Sequence, residues 1–427
     1  MRRIASGARR VTNSGDIAPR KHTRFESRAS RSELPADDRI CVDNWPAFAH
    51  WIPAWERLLD AAPEASPFHS PAWLEQAWRY PGKPIFAALL RRGDELDAGV
   101  VLCPRWETGF NVSLPVRALH CLPHMPLLDP CAAVVAKRPE VSADSIADLL
   151  ETALASTHWD VLLLNRLVPR IQWLEIAAER LAQRHGWHFH QASEAQEAII
   201  DLSGGITAYW KTRSKQLARK IRVGRSRLEA LGTFELQDAV TDGMPWDACW
   251  SNIETVFADA WQRDGGLSPF QPRWRSHTYP AFSKLYADGH LFAFFAMRDG
   301  APIAFEVWFG AGDGFYGIAR GMCPEYRKLS LGNVLAAYVL ERTLAHGFKQ
   351  QWLGTVNDLP HFAYKHRWLT EHEGGRQLML IRPNAWYGRL HRLLHQSPAA
   401  SWLFQTLRVK PLALALFSRA QALKRRH

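Results

Sequence analysis

The chain has 427 residues, 47% of them hydrophobic and 22% charged, with a formal net charge of +11. That length suits two domains plus tails, and the hydrophobic share is enough for sizeable cores. No stretch reaches the ~18 uninterrupted apolar residues of a membrane span, and the basic balance favours anionic partners such as nucleic acid, acidic lipid, a phosphorylated substrate or an acidic glycan.

Residues 1–38 are polar, Arg-rich and without hydrophobic period, and read as a disordered basic tail. Their start, MRRIASGARR, lacks the apolar region of a secretory signal and fits either an Arg/Ser-rich transit segment or a basic arm. Order begins near Arg39, where Trp51, Trp55 and Leu58 follow helical spacing. Ser70 before Pro71 suits a helix cap followed by proline in the first turn. Two apolar runs around Gly93-Asp94 signal a hairpin. A continuous apolar run, DVLLLNRL, reads as a buried strand, and the helix after it stops at Gly186.

Residues 206–231 read as one long basic helix with Leu217, Ile221, Leu228 and Leu231 on a stripe, ended by Gly232. Its cations include Lys211, Arg213, Lys215, Arg219, Lys220, Arg222, Arg225 and Arg227, with few acids within helical reach. A solvated face and an anion-binding face are both open; Arg219, Lys220 and Arg222 are the candidate contacts to an anionic substrate. The second half repeats the grammar of the first: a helix, a hairpin around Asp299-Gly300, a strand, a helix after Leu331, and two further strands. The alternation points to an α+β fold. Residues 384–427 read as amphipathic helices, suited to packing on the body or to peripheral membrane contact.

The six cysteines form no C-x-x-C pair, and no His/Cys cluster has zinc spacing. They read as single thiols in a reducing compartment, so a cytoplasmic protein without a metal is expected. The 19 tryptophans suit core positions, with carbohydrate stacking as the alternative use.

Chemistry concentrates in PEYRKLSLGNVLAAYVLERTLAHG, residues 324–347. A helix front offers free N–H groups and partial positive charge, and small residues let an anion come close. Arg327, Lys328, Ser330, Leu331 and Gly332 supply cations and small positions there. On the strand at 302–309, alternation sets Glu306 and Trp308 on one face and Phe305, Val307 and Phe309 on the other. A carboxylate on so apolar a strand is either ion-paired or a general base with a raised pKa.

Arg327-x-x-Ser330-x-Gly332 resembles the R/Q-x-x-G-x-G/A signature with which GNAT acyltransferases hold the diphosphate of acyl-CoA, with Ser330 in place of the first glycine. The order hairpin, strand, loop, helix, strand is similar to that around the GNAT site. Across residues 65–385 the chain resembles GNAT-like bacterial acetyltransferases of the cellulose-biosynthesis (CelD/BcsL) type, through FHSPAWLEQAW, DVLLLNRL, SKQLARKIRVGRSRLEALG, LSLG and YKHRW. Tandem halves are also similar to Fem-type transferases, which use aminoacyl-tRNA.

The resemblance implies two tandem GNAT-like (acyl-CoA N-acyltransferase) domains with mixed sheets flanked by helices. These are an N-terminal one at 39–205, a basic linking helix at 206–232, and a C-terminal one at 233–383 holding acetyl-CoA (acyl-CoA) as co-substrate. It implies acyl transfer to an amine or hydroxyl of a sugar or glycan precursor, in exopolysaccharide or cellulose biosynthesis. It makes Glu306 or Asp358 the base, Tyr364 the acid and Lys365 a cation for substrate or phosphate. The alternatives are transfer from aminoacyl-tRNA and a degenerate scaffold or nucleic-acid-binding module.

Overall fold

Two hairpins set the architecture. In the first half β2 (Phe86–Arg92) turns at Gly93, which has a φ of 62°, into β3 (Glu95–Thr108). In the second half β9 (Leu291–Arg298) turns through Asp299 and Gly300, with φ of 49° and 78°, into β10 (Ala301–Ala311). Left-handed residues at Gly93, Asp299 and Gly300 match the twist of the antiparallel strands they join. The structure is a computed structural model. It describes residues 39–62, 65–79, 85–108, 115–121, 134–137, 141–167, 172–259, 268–356 and 364–383. The expected basic tail and the expected C-terminal helices lie outside these residues.

Around the first hairpin stand β1 (Arg39–Val42), α1 (Trp45–Ala49), α2 (Ile52–Ala61), α3 (Pro71–Arg79), β4 (Pro115–Cys121) and β5 (Val134–Ala136). They are followed by α4 (Ala143–Ala155), β6 (Val161–Leu167), α5 (Gln172–His185) and β7 (His188–Asp201). Then come α6 (Gly205–Thr212) and α7 (Lys215–Glu229). The expected single helix over 206–231 is therefore two. The chain extends at Arg213 (φ −91°, ψ 155°), whose guanidinium donates to the carbonyls of Trp368 and Leu369. Ser214 restarts the helix by accepting from the Leu217 N–H at 3.2 Å. Leu217 and Leu228 of the expected stripe are buried, whereas Leu231 lies past the helix end and is exposed.

The second half comprises β8 (Phe234–Asp238), α8 (Trp246–Asp259), α9 (Arg275–Ala287), β9, β10 and β11 (Gly314–Met322). After these come α10 (Leu331–Ala345), β12 (Gln350–Val356) and β13 (Glu371–Ile381). The strands form one 13-stranded sheet in the order β1-β2-β3-β4-β6-β13-β7-β12-β11-β10-β9-β8, with β5 beside β3.

The centre of that order is an exchange. The last strand of the first half, β7, pairs antiparallel with β12 of the second, and β13 of the second pairs antiparallel with β6 of the first. β7 and β13 also pair with each other, from Glu371↔Ile199 to Ile381↔His188. Each half thus completes the sheet of the other.

Both sheet faces are covered. On one, Phe305, Val307 and Phe309 meet Phe68, Trp73 and Phe282, a single core drawn from both halves. On the other, α4 and α5 cover the first half, while α7 and α10 cover the second. Buried tryptophans serve these cores: Trp55 donates to the His69 carbonyl at 2.7 Å and Trp159 to that of Leu154 at 3.2 Å. Cys41 and Cys249 are free thiols. No described helix is long and apolar enough to cross a membrane.

At the far edge, buried Asp238 ties β8 to α10. It accepts from Arg342 at 2.8 Å, His346 at 2.7 Å and Thr241 at 2.9 Å. Burial alone would raise its carboxyl, but the hydrogen bonds from His346 and Arg342 outweigh burial and hold it at about 2. A depressed carboxyl stabilises fully above its unfolded pKa and loses that contribution as pH falls through the folded one. Asp238→Ala should therefore destabilise by about 2–3 kcal/mol at neutral pH, because the half-buried Arg342 guanidinium and His346 ring lose their partner. The deficit relative to the parent should shrink between roughly pH 4 and pH 2 in acid titrations followed by circular dichroism. The exchange gives a second expectation. A fragment covering 206–383 should not fold alone and should recover native circular dichroism when mixed with a 39–205 fragment.

Candidate functional site

The sheet forks beside α10. β11 and β12 pair in parallel through Gly314↔Gln350, Phe315↔Gln351 and Tyr316↔Trp352, and there the pairing ends. The rings of Tyr316 and Trp352 stack at 5.8 Å across the last pair. Beyond it β11 continues along β10 as far as Met322, and β12 continues along β7 as far as Val356. The two strands leave facing backbone without a ladder between them, a wedge-shaped opening in the middle of a sheet.

The chain leaves β11 at the open end, makes a 3-10 helix over Pro324–Leu329 and enters α10. Ser330, between them, has φ 61° and ψ 25°, a left-handed conformation that costs a non-glycine residue about 1–2 kcal/mol. A serine before a helix ordinarily caps it, but Ser330 makes no such side-chain bond. Its carbonyl takes the N–H groups of Asn333 and Val334, which leaves the N–H groups of Leu331 and Gly332 ahead of the helix ladder. A right-handed turn followed by a left-handed residue turns successive N–H groups to one side, a concavity suited to an anion. The first turn of α10 contains no acid. A Cβ on Gly332 would meet only the mobile end of Met322, at 2.8 Å. Arg327 and Lys328 are exposed beside this front.

The first half offers a control. β4 and β6 also pair in parallel over three positions before parting. There, however, Ser142 caps α4 by accepting from the Ser145 N–H at 3.1 Å, and Asp144 stands in the first turn. That helix front is already satisfied and negatively charged.

α7 packs directly against Ser330. A Cβ on Gly224 would lie 2.7 Å from the Leu329 carbonyl oxygen, 3.1 Å from Ser330 Cβ and 3.2 Å from Val334 Cγ2. Glycine in mid-helix costs about 1 kcal/mol in propensity; here it lets α7 lie flush against the loop that opens α10.

Glu306 and Trp308 do share a face of β10, opposite Phe305, Val307 and Phe309. Glu306 is buried and accepts from Trp308 Nε1 at 3.0 Å. Directly across the ladder is Arg320 of β11, with Nη1 3.9 Å from the Glu306 carboxylate. The Arg320 guanidinium in turn lies over the Tyr364 ring at 5.0 Å. Lys365 is buried, and its Nζ is 3.7 Å from where a Cβ of Gly354, on β12, would sit. Glu306, Arg320, Tyr364 and Lys365 thus gather along the fork. Burial pushes the Glu306 carboxyl above the ordinary carboxylate range, and Arg320 and Trp308 only partly pull it back.

Asp358 lies outside the described residues. Arg219 and Arg222 are exposed on the outer side of α7, while Lys220 is half-buried beside the Gly224 seam. Arg320 was missed by sequence reasoning. Its signal was only partial: Arg320 is a lone cation in the strand GFYGIARGM, but counting from the β10–β11 turn sets Ala319 opposite Glu306, and the register shift between Val307 and Trp308 brings Arg320 there instead. Among the described residues no group of three or more His, Cys, Asp or Glu gathers as a metal site.

Residues 214–366 match the family model of the acetyltransferase (GNAT) domain, so the second half of the chain carries a GNAT acetyltransferase domain. The fold as a whole is similar to that of a solved structure. FemX superposes with a TM-score of 0.55 at 11% identity, over 80% of this chain and 98% of FemX. The C-terminal domain of a putative lysylphosphatidylglycerol synthetase from Agrobacterium fabrum gives a TM-score of 0.46 at 13% identity, covering 78% of this chain and 91% of that one. A tandem GNAT protein from the clavulanic acid biosynthesis pathway gives 0.42 at 13%, covering 81% and 99%. Nothing among curated proteins matches the chain.

The strain at Ser330 is directly testable. Ser330→Gly should raise stability by about 0.5–1 kcal/mol, since glycine takes the left-handed region freely. Ser330→Val should lose more than that, as read by the midpoint of urea unfolding.

Proposed function

We propose that the protein transfers an acetyl or longer acyl group from acyl-CoA to an amine or hydroxyl of a sugar or glycan precursor, in exopolysaccharide or cellulose biosynthesis. The observation that carries the donor is the open, acid-free front of α10 standing at the mouth of the β11–β12 fork. The residues fit a diphosphate: backbone N–H groups at Leu331 and Gly332, no side chain at Gly332, and cations at Arg327 and Lys328. The sugar acceptor is supported by the resemblance of the landmark segments to cellulose-biosynthesis acetyltransferases, and the cytoplasm is the proposed site of action.

In this reading the diphosphate rests on residues 327–332 and the thioester end enters the fork. The acceptor nitrogen or oxygen attacks the thioester carbon; the new N–C or O–C bond forms as the C–S bond breaks. The proton leaving the acceptor goes to Glu306, through water because that carboxylate is buried, and Tyr364 donates its phenolic proton to the departing thiolate. Asp358 is the competing base. Arg320 pulls the Glu306 carboxyl back toward its ionised form, which is the form a base needs. Lys365 beside the fork, with the exposed Arg219 and Arg222 on α7, would attract an acceptor that carries negative charge.

A second reading, aminoacyl transfer from tRNA, is favoured by the unneutralised cations of α7. Thermal shift separates the two: acetyl-CoA should raise the melting temperature of the parent but not of Gly332→Val, whose fold should remain intact. Protection by aminoacyl-tRNA alone would favour the second reading, and protection by neither would leave a scaffold. The raised Glu306 pKa has its own readout. Activity should fall as pH drops through a limb above the ordinary Glu value of about 4.3. Arg320→Gln should move that limb further up, while Glu306→Gln should remove most of the rate at every pH.

A further inference from the structure

α7 and α5 are counterparts. Each lies along the helix that follows the forked strand of its half, α5 along α4 and α7 along α10. Their charge is handled in opposite ways. On α5, Arg180 pairs with Asp144 at 2.6 Å, Arg184 with Asp144 and Asp148, and His185 with Glu151 at 2.8 Å. The cations of α5 are thus absorbed by acids on α4. On α7 one such pair exists, Arg225 with Glu229 at 2.9 Å. Among the described residues, Lys220 and Arg227 have no acidic partner.

Helical geometry says where those two stand. Lys220 is four residues before Gly224 and Arg227 three after it, so both lie over the same face as the glycine. Gly224 is the point where α7 meets Leu329 and Ser330. Leu217 shares a cluster with Leu340, and Leu228 shares one with Leu331, so α7 runs antiparallel to α10 and its later turns reach the front of α10. Lys220 and Arg227 therefore flank the loop whose N–H groups form the anion-binding concavity. Lys220 is half-buried there, and Arg227, like Lys215, Arg219 and Arg222, is exposed; position beside Gly224, not burial, sets Lys220 and Arg227 apart.

We propose that α7 is the second wall of the donor site, with Lys220 and Arg227 holding the 3′-phosphate at the nucleotide end of acyl-CoA. The inference rests on the acyl-CoA reading above. It explains why glycine occupies the middle of a helix and why cations beside it were left unpaired: a larger residue would push α7 off the loop, and an acid would occupy the place of the phosphate.

Isothermal titration with acetyl-CoA and with 3′-dephospho-acetyl-CoA tests it on the full chain. The parent should prefer acetyl-CoA by about tenfold or more, the scale of a charge-assisted contact. Lys220→Ala combined with Arg227→Ala should abolish that preference by weakening acetyl-CoA alone. Lys220→Arg with Arg227→Lys should restore most of it, and Lys211→Ala with Lys215→Ala should leave it unchanged. Circular dichroism of each variant should match the parent. Equal affinity of the parent for both ligands, or a preference that survives in the double alanine variant, would overturn the second wall and leave the acyl-CoA reading standing. Binding of neither ligand by the parent would overturn both.

Discussion

The pairing of β7 with β13 is the constraint on which the rest of the molecule depends. These strands come from different halves, about 180 residues apart in the chain, and each lies between its partner and a strand of the opposite half. Because β12 is held on one side by β7, it need not follow β11 along its whole length. The fork between β11 and β12 is therefore sustained by hydrogen bonds made elsewhere, and an opening in mid-sheet carries no unfolded edge with it. The exchange secures the outer edge of β12, while the edges of β11 and β12 that face the fork keep backbone groups available to a ligand or to water.

Within that frame, the two halves spend the same architecture differently. Both have parallel strands that separate and a helix that follows. In the first half the helix is capped by Ser142, its first turn holds Asp144, and its flanking helix is laced to it by ion pairs. In the second the helix front is uncapped, Ser330 bears left-handed strain, and the flanking helix brings cations with few acids. The first arrangement favours stability. The second keeps donor groups and charge available, and the buried Glu306 held near Arg320 is a further unfavourable placement at the same fork.

Much of this was legible in the sequence because it is local. Gly93-Asp94 and Asp299-Gly300 marked both hairpins, Gly186 ended its helix, and strict alternation put Glu306 and Trp308 on one side of β10. What was not legible arises at long range. No residue type at Arg213 announces a helix break; the break exists because its guanidinium reaches carbonyls at 368 and 369. Serine is a poor choice for φ 61°, so nothing at Ser330 signals that conformation, and its contact with Gly224 a hundred residues earlier is equally silent in the sequence. A mid-helix glycine is unfavourable by propensity alone and becomes intelligible only beside its neighbour. The strand exchange has no local signature, since a strand reads the same whichever half it joins.

The exchange also sets a timetable for biosynthesis. β6 leaves the ribosome roughly 200 residues before β13, its neighbour in the finished sheet. At a synthesis rate of about 5–20 residues per second, the nascent first half waits on the order of ten to forty seconds with that edge uncovered. During that interval the apolar strand VLLLNRL is available to any other extended chain. Translation speed and holdase capacity, rather than the stability of the completed molecule, would then govern how much of this protein reaches its native form.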